Sequence, residues 1–169
     1  MADRPSRLWK TLAPETRQAA AVAFWRDDSA DDVPLQHAEA IVAIAKRMNF
    51  RPKSVRALPE ERRARLLAQM IDVPDAVATR ALIAYHFQTQ RPMMSAFLEA
   101  LGIAHDQGLI TTETVAPPTR EALRRAAGRL RETFAEPEIR LYFQTLQALD
   151  GETWANLDDF SGPAGAPGV

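Results

Sequence analysis

Histidine is the residue of this sequence with the widest range of chemistry, and it occurs at positions 37, 86 and 105. A zinc site on one helix needs two histidines four residues apart, and no two of these three have that separation. The chain has no cysteine, which excludes disulfides, thiolate nucleophiles and cysteine-ligated zinc. We therefore predict that the protein has neither a metal site nor another cofactor.

Motifs for nucleophilic catalysis and for phosphate binding are also missing from the sequence. No serine has the Gly-x-Ser-x-Gly surroundings of a nucleophile elbow, and no glycine-rich phosphate loop occurs. Neighbouring carboxylates fall in predicted loops and helix caps, where capping explains them. The sequence therefore predicts a protein without catalytic residues, not an enzyme.

One polar group interrupts the most apolar segment of the chain. Thr79, His86 and Gln90 are separated by seven and four residues, which places them along one side of a helix, and Tyr85 precedes the histidine. These four residues are candidates for a small-molecule pocket between helices. The alternative, which the sequence favours, is a core histidine whose ring nitrogens are satisfied by neighbouring groups.

A basic stretch between residues 46 and 65 contrasts with the formal net charge of −1 for the whole chain. Its basic residues are Lys46, Arg47, Arg51, Lys53, Arg56, Arg62, Arg63 and Arg65. Only Glu60 and Glu61 oppose them, so the stretch carries a net charge of +6. The candidate residues for binding an anion or a partner are Arg51, Lys53, Arg56, Arg62 and Arg63.

Two interpretations of the basic stretch remain open. It could bind phosphate, RNA or the acidic surface of a protein. Alternatively, it is a solvated helix face with pairs four residues apart, such as Glu61 with Arg65 and Glu121 with Arg125. The second interpretation is favoured because Phe50 is the only aromatic residue in the stretch that could stack on a base. A second basic face consists of Arg120, Arg124, Arg125, Arg129 and Arg131.

The spacing of apolar residues predicts an all-α fold of about seven helices packed as stacked antiparallel hairpins. Proline and capping residues suggest where each helix begins. The predicted helices span residues 14–27, 35–48, 59–71, 74–89, 92–101, 119–134 and 137–149. The helix over 74–89 is apolar on nearly every side and should lie at the centre of the fold.

An internal duplication is a further hypothesis. The segment LAPETR at residues 12–17 resembles ALPEER at residues 57–62, and each is followed by a second predicted helix that ends near an Arg-Pro pair. A weaker third copy runs from residue 118 to residue 149. Repeats of about 40 to 45 residues are typical of stacked helical hairpins. Alternatively, such helix starts and stops recur by chance in any helical protein.

We predict one helical domain over residues 1–160, followed by a flexible C-terminal tail over 161–169. No apolar run long enough for a signal peptide or a membrane span occurs, so we expect a cytoplasmic protein without a membrane partner. The leading hypothesis is an adaptor or scaffold that binds another protein or associates with itself. The alternatives are nucleic-acid or acidic-surface binding through the basic stretch, and small-molecule binding near Tyr85 and His86.

Overall fold

The computed structural model describes residues 4–161 and confirms an all-α fold. The helices are α1 (Pro5–Thr11), α2 (Pro14–Arg26), α3 (Val33–Met48), α4 (Pro52–Arg56), α5 (Glu60–Gln69), α6 (Asp75–Thr89), α7 (Arg91–Leu101), α8 (Arg120–Arg131), α9 (Glu136–Leu149) and α10 (Asp158–Ser161). The strands β1 (His105–Asp106) and β2 (Leu109–Ile110) form a small antiparallel hairpin in which His105 pairs with Ile110. A 3-10 turn spans Ala155–Leu157.

The seven predicted helices are present, and three short helices, α1, α4 and α10, add to them in the part of the chain that the structure describes. Proline occupies the first or second position of six helices, where its missing N–H has no partner to lose. Thr119 caps α8, because its hydroxyl oxygen accepts a hydrogen bond of 3.2 Å from the Ala122 N–H. Residues 54–56, which lie outside the predicted helices, belong to α4, and the chain turns at residues 57–58 before α5.

The chain divides at Gln88 into two compact units, an N-terminal unit over residues 4–88 and a C-terminal unit over residues 89–161. The prediction of one domain over 1–160 and that of stacked hairpins with an internal duplication stay predictions. Of the predicted tail over 161–169, Ser161 ends α10 and the remainder lies outside the described residues. None of the described helices combines the length and apolar character that a membrane span requires.

The core of the N-terminal unit is built from side chains of α1, α2, α3, α5 and α6. Its largest fully buried members are Trp9, Phe24, Ile44, Leu67 and Leu82. Helix α2 packs against α5, and α3 packs against α4 and α5. The Trp9 indole N–H donates a 2.8 Å hydrogen bond to the Met70 carbonyl, which ties α1 to the end of α5. These contacts fix the helices that carry the basic stretch.

Helices α7, α8 and α9 form the body of the C-terminal unit. The Phe97 ring lies 5.0 Å from the Phe143 ring and 5.8 Å from the Trp154 ring. The hairpin between β1 and β2 turns at Gly108, whose φ of +89° favours glycine. A Cβ atom at this position would lie 2.7 Å from the Met94 Cβ, so the close approach of the hairpin to α7 also requires glycine.

Candidate interaction surface

Helix α3 is amphipathic, and its buried side anchors it in the N-terminal unit. The buried residues of α3 are Val33, Ala40, Ile41, Ile44 and Ala45. The opposite side carries the exposed residues Leu35, Glu39, Val42 and Lys46, which we call the α3 outer face. Their separations of four, three and four residues place them in one line along the helix.

The α3 outer face exposes two large apolar side chains. Leu35 is 72% exposed and Val42 is 56% exposed. Single exposed apolar residues are common on protein surfaces, but these two lie on the same line of one helix, about 10 Å apart along its axis. Their alignment indicates a strip that another apolar surface could cover.

A continuous exposed segment follows the α3 outer face. The α3–α4 segment comprises residues 46–56, and each of its first nine residues is exposed. Asn49 has a left-handed backbone with φ of 55°, and the Phe50 N–H donates a 2.9 Å hydrogen bond to the Ala45 carbonyl. This helix end turns the chain into α4, where Val55 is fully buried. The burial of Val55 fixes the segment and leaves its charged side chains in solvent.

The α3–α4 segment concentrates positive charge that no described residue neutralises by an ion pair. Its cations are Lys46, Arg47, Arg51, Lys53 and Arg56. None of them forms an ion pair with any residue between 4 and 161. Met48 and Phe50, which are 39% and 44% exposed, lie among them. The segment therefore presents cations and apolar side chains together.

The five predicted anion-binding residues do not all belong to this surface. Arg51, Lys53 and Arg56 lie together on the α3–α4 segment, and Arg62 is exposed on α5. Arg63 is different, because its guanidinium carbon lies 4.7 Å from the centre of the Trp25 ring, which is almost fully buried. A cation stacked on a ring stabilises the packing of α5 on α2. Arg63 therefore has a packing role, and its assignment to an anion site stays a prediction.

The predicted helical ion pairs have different outcomes. An Arg125 guanidinium nitrogen lies 3.6 Å from a Glu121 carboxylate oxygen, as expected. Glu61 and Arg65 form no ion pair with each other, and the neighbouring Glu60 binds Arg26 at 2.9 Å instead. The expected neutralisation of the basic stretch by its own glutamates is therefore wrong for Glu61 and Arg65.

The opposite end of α3 is acidic. The acidic loop, residues 27–32, is held in place by Arg80, which lies 3.5 Å from Asp27 and 3.6 Å from Asp32. A hydrogen bond from the Gln36 amide, together with Arg80, lowers the pKa of Asp32. Asp28 and Asp31 are exposed and have no ion-pair partner among the described residues. Within residues 4–161, the acidic groups Asp28 and Asp31 before the start of α3 and the basic groups at its end therefore have no ion pair.

The predicted pocket residues do not form one seam. Thr79 and Tyr85 are half-buried on α6, and His86 is buried with its ring centre 5.2 Å from that of Tyr85. Burial lowers the pKa of His86 to about 4, so the ring is neutral at pH 7. Gln90 lies beyond the end of α6, has a non-helical φ of −128° and begins α7 in the C-terminal unit. The placement of Gln90 on the α6 seam is therefore wrong.

A groove of about 330 Å³ lies on the C-terminal unit, between α7 and α8. Its lining residues are Ala100, Arg125, Ala126, Gly128, Arg129 and Glu132. The α8 basic face, which consists of Arg120, Arg124, Arg125, Arg129 and Arg131, lies partly along this groove. Three of its five arginines form ion pairs, with Asp159, Glu121 and Glu136. This face is therefore more neutralised than the α3–α4 segment.

Between residues 4 and 161, no three histidine or acidic side chains converge as a metal site would require. No protein-family model, curated protein or solved structure matches this chain. A functional proposal therefore depends on the surfaces of the protein itself.

Sequence reasoning missed Leu35 and Val42 as surface residues. The spacing of Ala38, Ile41, Ala45 and Met48 predicts one buried stripe on the second helix, but Met48, at the end of the helix, is 39% exposed. The two missed residues lie on another side of the same helix. Their separation of seven residues, with Glu39 between them, was the available signal, since two apolar residues on a polar face indicate a contact surface.

Proposed function

We propose that the protein is a non-catalytic interaction module whose N-terminal unit binds an acidic segment of a protein that also carries apolar side chains. The observation that carries this proposal is the α3–α4 segment, in which five exposed cations lie next to the exposed apolar residues Met48 and Phe50. These cations have no ion pair with any residue between 4 and 161. The α3 outer face adds two further exposed apolar side chains, Val42 and Leu35.

The charge of the segment and its apolar residues contribute differently to binding. Cations that have no partner can pair with an acidic ligand without breaking an existing ion pair, and they accelerate its approach. Burial of the apolar side chains favours binding because it removes apolar surface from water. A ligand that offers both acidic and apolar groups therefore fits better than a ligand with charge alone.

A protein ligand is favoured over a nucleic acid by two features of the same surface. Phe50 is the only aromatic side chain of the α3–α4 segment, so stacking on successive bases is limited. The exposed Asp28 and Asp31 at the other end of α3 would repel a phosphate backbone that ran along the helix. An acidic protein segment can instead bind to the cations at the C-terminal end of α3 without approaching Asp28 and Asp31.

Fluorescence anisotropy tests this proposal with two labelled probes of matched length. One probe is a peptide that combines aspartate and leucine residues, and the other is a single-stranded DNA oligonucleotide. We expect tighter binding of the peptide, with an affinity that falls as salt is added because exposed charges are screened. The double variant Arg51→Glu/Lys53→Glu should lose about tenfold or more in peptide affinity, since both cations become repulsive.

The matched control is Arg124→Glu/Arg129→Glu on α8. It makes the same change in charge at two exposed arginines that have no ion pair within residues 4–161, and it should leave peptide affinity unchanged. Equal losses in the two double variants, or no peptide binding, would contradict the proposal. Tighter binding of the oligonucleotide would favour the nucleic-acid alternative in its place.

A further inference from the structure

We infer that the acidic segment is supplied by a second copy of this chain, which binds antiparallel along α3. This inference depends on the proposed function and names the partner for it. The acidic loop and Leu35, at the start of α3, have the composition that the α3–α4 segment at its end would bind. One helix therefore carries an acidic start and a basic end that complement each other. In a dimer with a two-fold axis, the acidic start of each copy would lie against the basic end of the other copy.

The α3 outer face is self-complementary about Val42. Glu39 lies three residues before Val42 and Lys46 lies four residues after it, which is about 4.5 Å and 6 Å along the helix axis. When two copies of α3 run antiparallel with their Val42 side chains together, each Glu39 faces the Lys46 of the other copy. Within its own copy, neither residue has an ion pair with a described side chain.

The ends of the face match in the same arrangement. Leu35 lies seven residues before Val42, so it faces residues 49–50 of the other copy and can pack on Phe50. Beyond it, the acidic loop approaches Arg51 and Lys53 of the other copy. A parallel arrangement would instead place Lys46 beside Lys46 and acidic loop beside acidic loop, which repel each other. The charges therefore select the antiparallel orientation.

The contact is small for a protein interface. The line from Leu35 to Lys46 is about 16 Å long, since each residue of a helix advances the axis by about 1.5 Å. Together with the flanking loops, such a surface lies at the low end of interface areas, and we expect a dissociation constant in the micromolar range. The full chain should therefore be measured over a wide range of concentrations.

Sedimentation equilibrium of charge-swap variants tests the inference. Each of Glu39→Lys and Lys46→Glu places like charges together twice in the symmetric dimer, so each should weaken self-association by about tenfold or more. An equimolar mixture of the two single variants should restore association, because both contacts of the mixed dimer join a lysine to a glutamate. The double variant Glu39→Lys/Lys46→Glu should restore it as well.

The control is Glu61→Lys, which reverses an exposed charge on α5 that has no ion pair among residues 4–161, and it should leave association unchanged. Restoration in the mixture cannot result from damaged folding of either variant, so it separates a direct contact from a structural effect. A wild-type dimer that the single variants leave intact, or a mixture that stays monomeric, would overturn the antiparallel contact. A strictly monomeric wild-type protein that binds the acidic peptide would overturn this inference and leave the proposed function standing. If the protein neither self-associates nor binds the acidic peptide, both this inference and the proposed function are contradicted.

Discussion

The α3–α4 segment and the α8 basic face each contain five basic residues, yet they differ in how many of these residues form ion pairs. Arg120, Arg125 and Arg131 of the α8 face bind carboxylates of their own unit at distances of 2.8 to 3.6 Å. The cations of the α3–α4 segment have no such partner in the described structure. The number of basic residues in a stretch therefore does not identify a binding surface, because what matters is whether neighbouring acids neutralise them.

The largest expected difference between the two units appears when acid is added. His86, in the N-terminal unit, has a pKa lowered by burial from 6.5 to about 4, so the unfolded chain binds its proton first as the pH falls. The free energy of unfolding therefore keeps its full value above pH 6.5. It falls between pH 6.5 and about 4, and the protonation of His86 lowers it by at most about 3 kcal/mol. Amide hydrogen exchange of α6 between pH 7 and pH 4.5 measures this loss.

In the C-terminal unit, the hydrogen bond from Arg131 lowers the pKa of Glu136 below 4.5. A lowered carboxyl pKa contributes stability above its unfolded value, so this contribution fades only below pH 4.5. Protection of α9 should therefore persist where that of α6 has weakened. The variant His86→Gln should flatten the pH dependence of α6. If the protection of α6 in that variant still fell with pH as it does in the wild type, a group other than His86 would be responsible.

A second contrast lies within the basic stretch, between the neighbours Arg62 and Arg63. Arg63→Ala removes the cation above the Trp25 ring and the packing of its aliphatic stem, so we expect a loss of about 1 to 2 kcal/mol in the free energy of unfolding. Arg62→Ala, at an exposed position, should change it by less than about 0.5 kcal/mol. Urea denaturation measures both values, and equal effects would contradict the packing role of Arg63.

This pair of arginines also shows where sequence reasoning stops. Helix spans depend on local spacing, proline and caps, so α2, α3 and α5 to α9 could be predicted to within a few residues. Helix α1 could not, since it has only seven residues and is held by distant contacts. The Ser6 N–H donates a hydrogen bond to Asp75 at the start of α6, and the buried Trp9 donates one to Met70 at the end of α5. Which of Arg62 and Arg63 packs inward depends on Trp25, far away in the sequence.

The candidate surface likewise depends on contacts that the sequence alone does not reveal. The positive charge of residues 46–65 is visible in the sequence, but its lack of neutralisation is not. Glu61 and Arg65 have the spacing of a helical pair and do not form one, whereas Glu121 and Arg125 have the same spacing and do. Exposed pairs of this kind differ in free energy by only a few tenths of a kcal/mol, so local spacing cannot decide between them.

Helix α8 contains a glycine in its interior, Gly128, and its replacement should have a smaller effect on stability. A Cβ atom added at Gly128 would have no atom within 4 Å outside its own helix, so the helix carries the cost of a glycine without a packing reason. Gly128→Ala should raise the free energy of unfolding by about 1 kcal/mol. Gly102→Ala is the opposite control, since its φ of +70° strains an alanine and should lower stability. Thermal unfolding of the two variants should therefore shift in opposite directions.

The smallest expected effect tests the opening comparison directly. Arg131 donates two hydrogen bonds to Glu136, at 2.8 and 3.2 Å, on a partly exposed surface. Arg131→Gln should therefore lower the free energy of unfolding by about 0.5 kcal/mol. Arg51→Gln removes a cation that has only like charges nearby in the α3–α4 segment, so stability should stay the same or rise slightly while peptide affinity falls. Equal losses of stability in both variants would mean that Arg51 is neutralised within the folded chain, and the difference between the two surfaces would disappear.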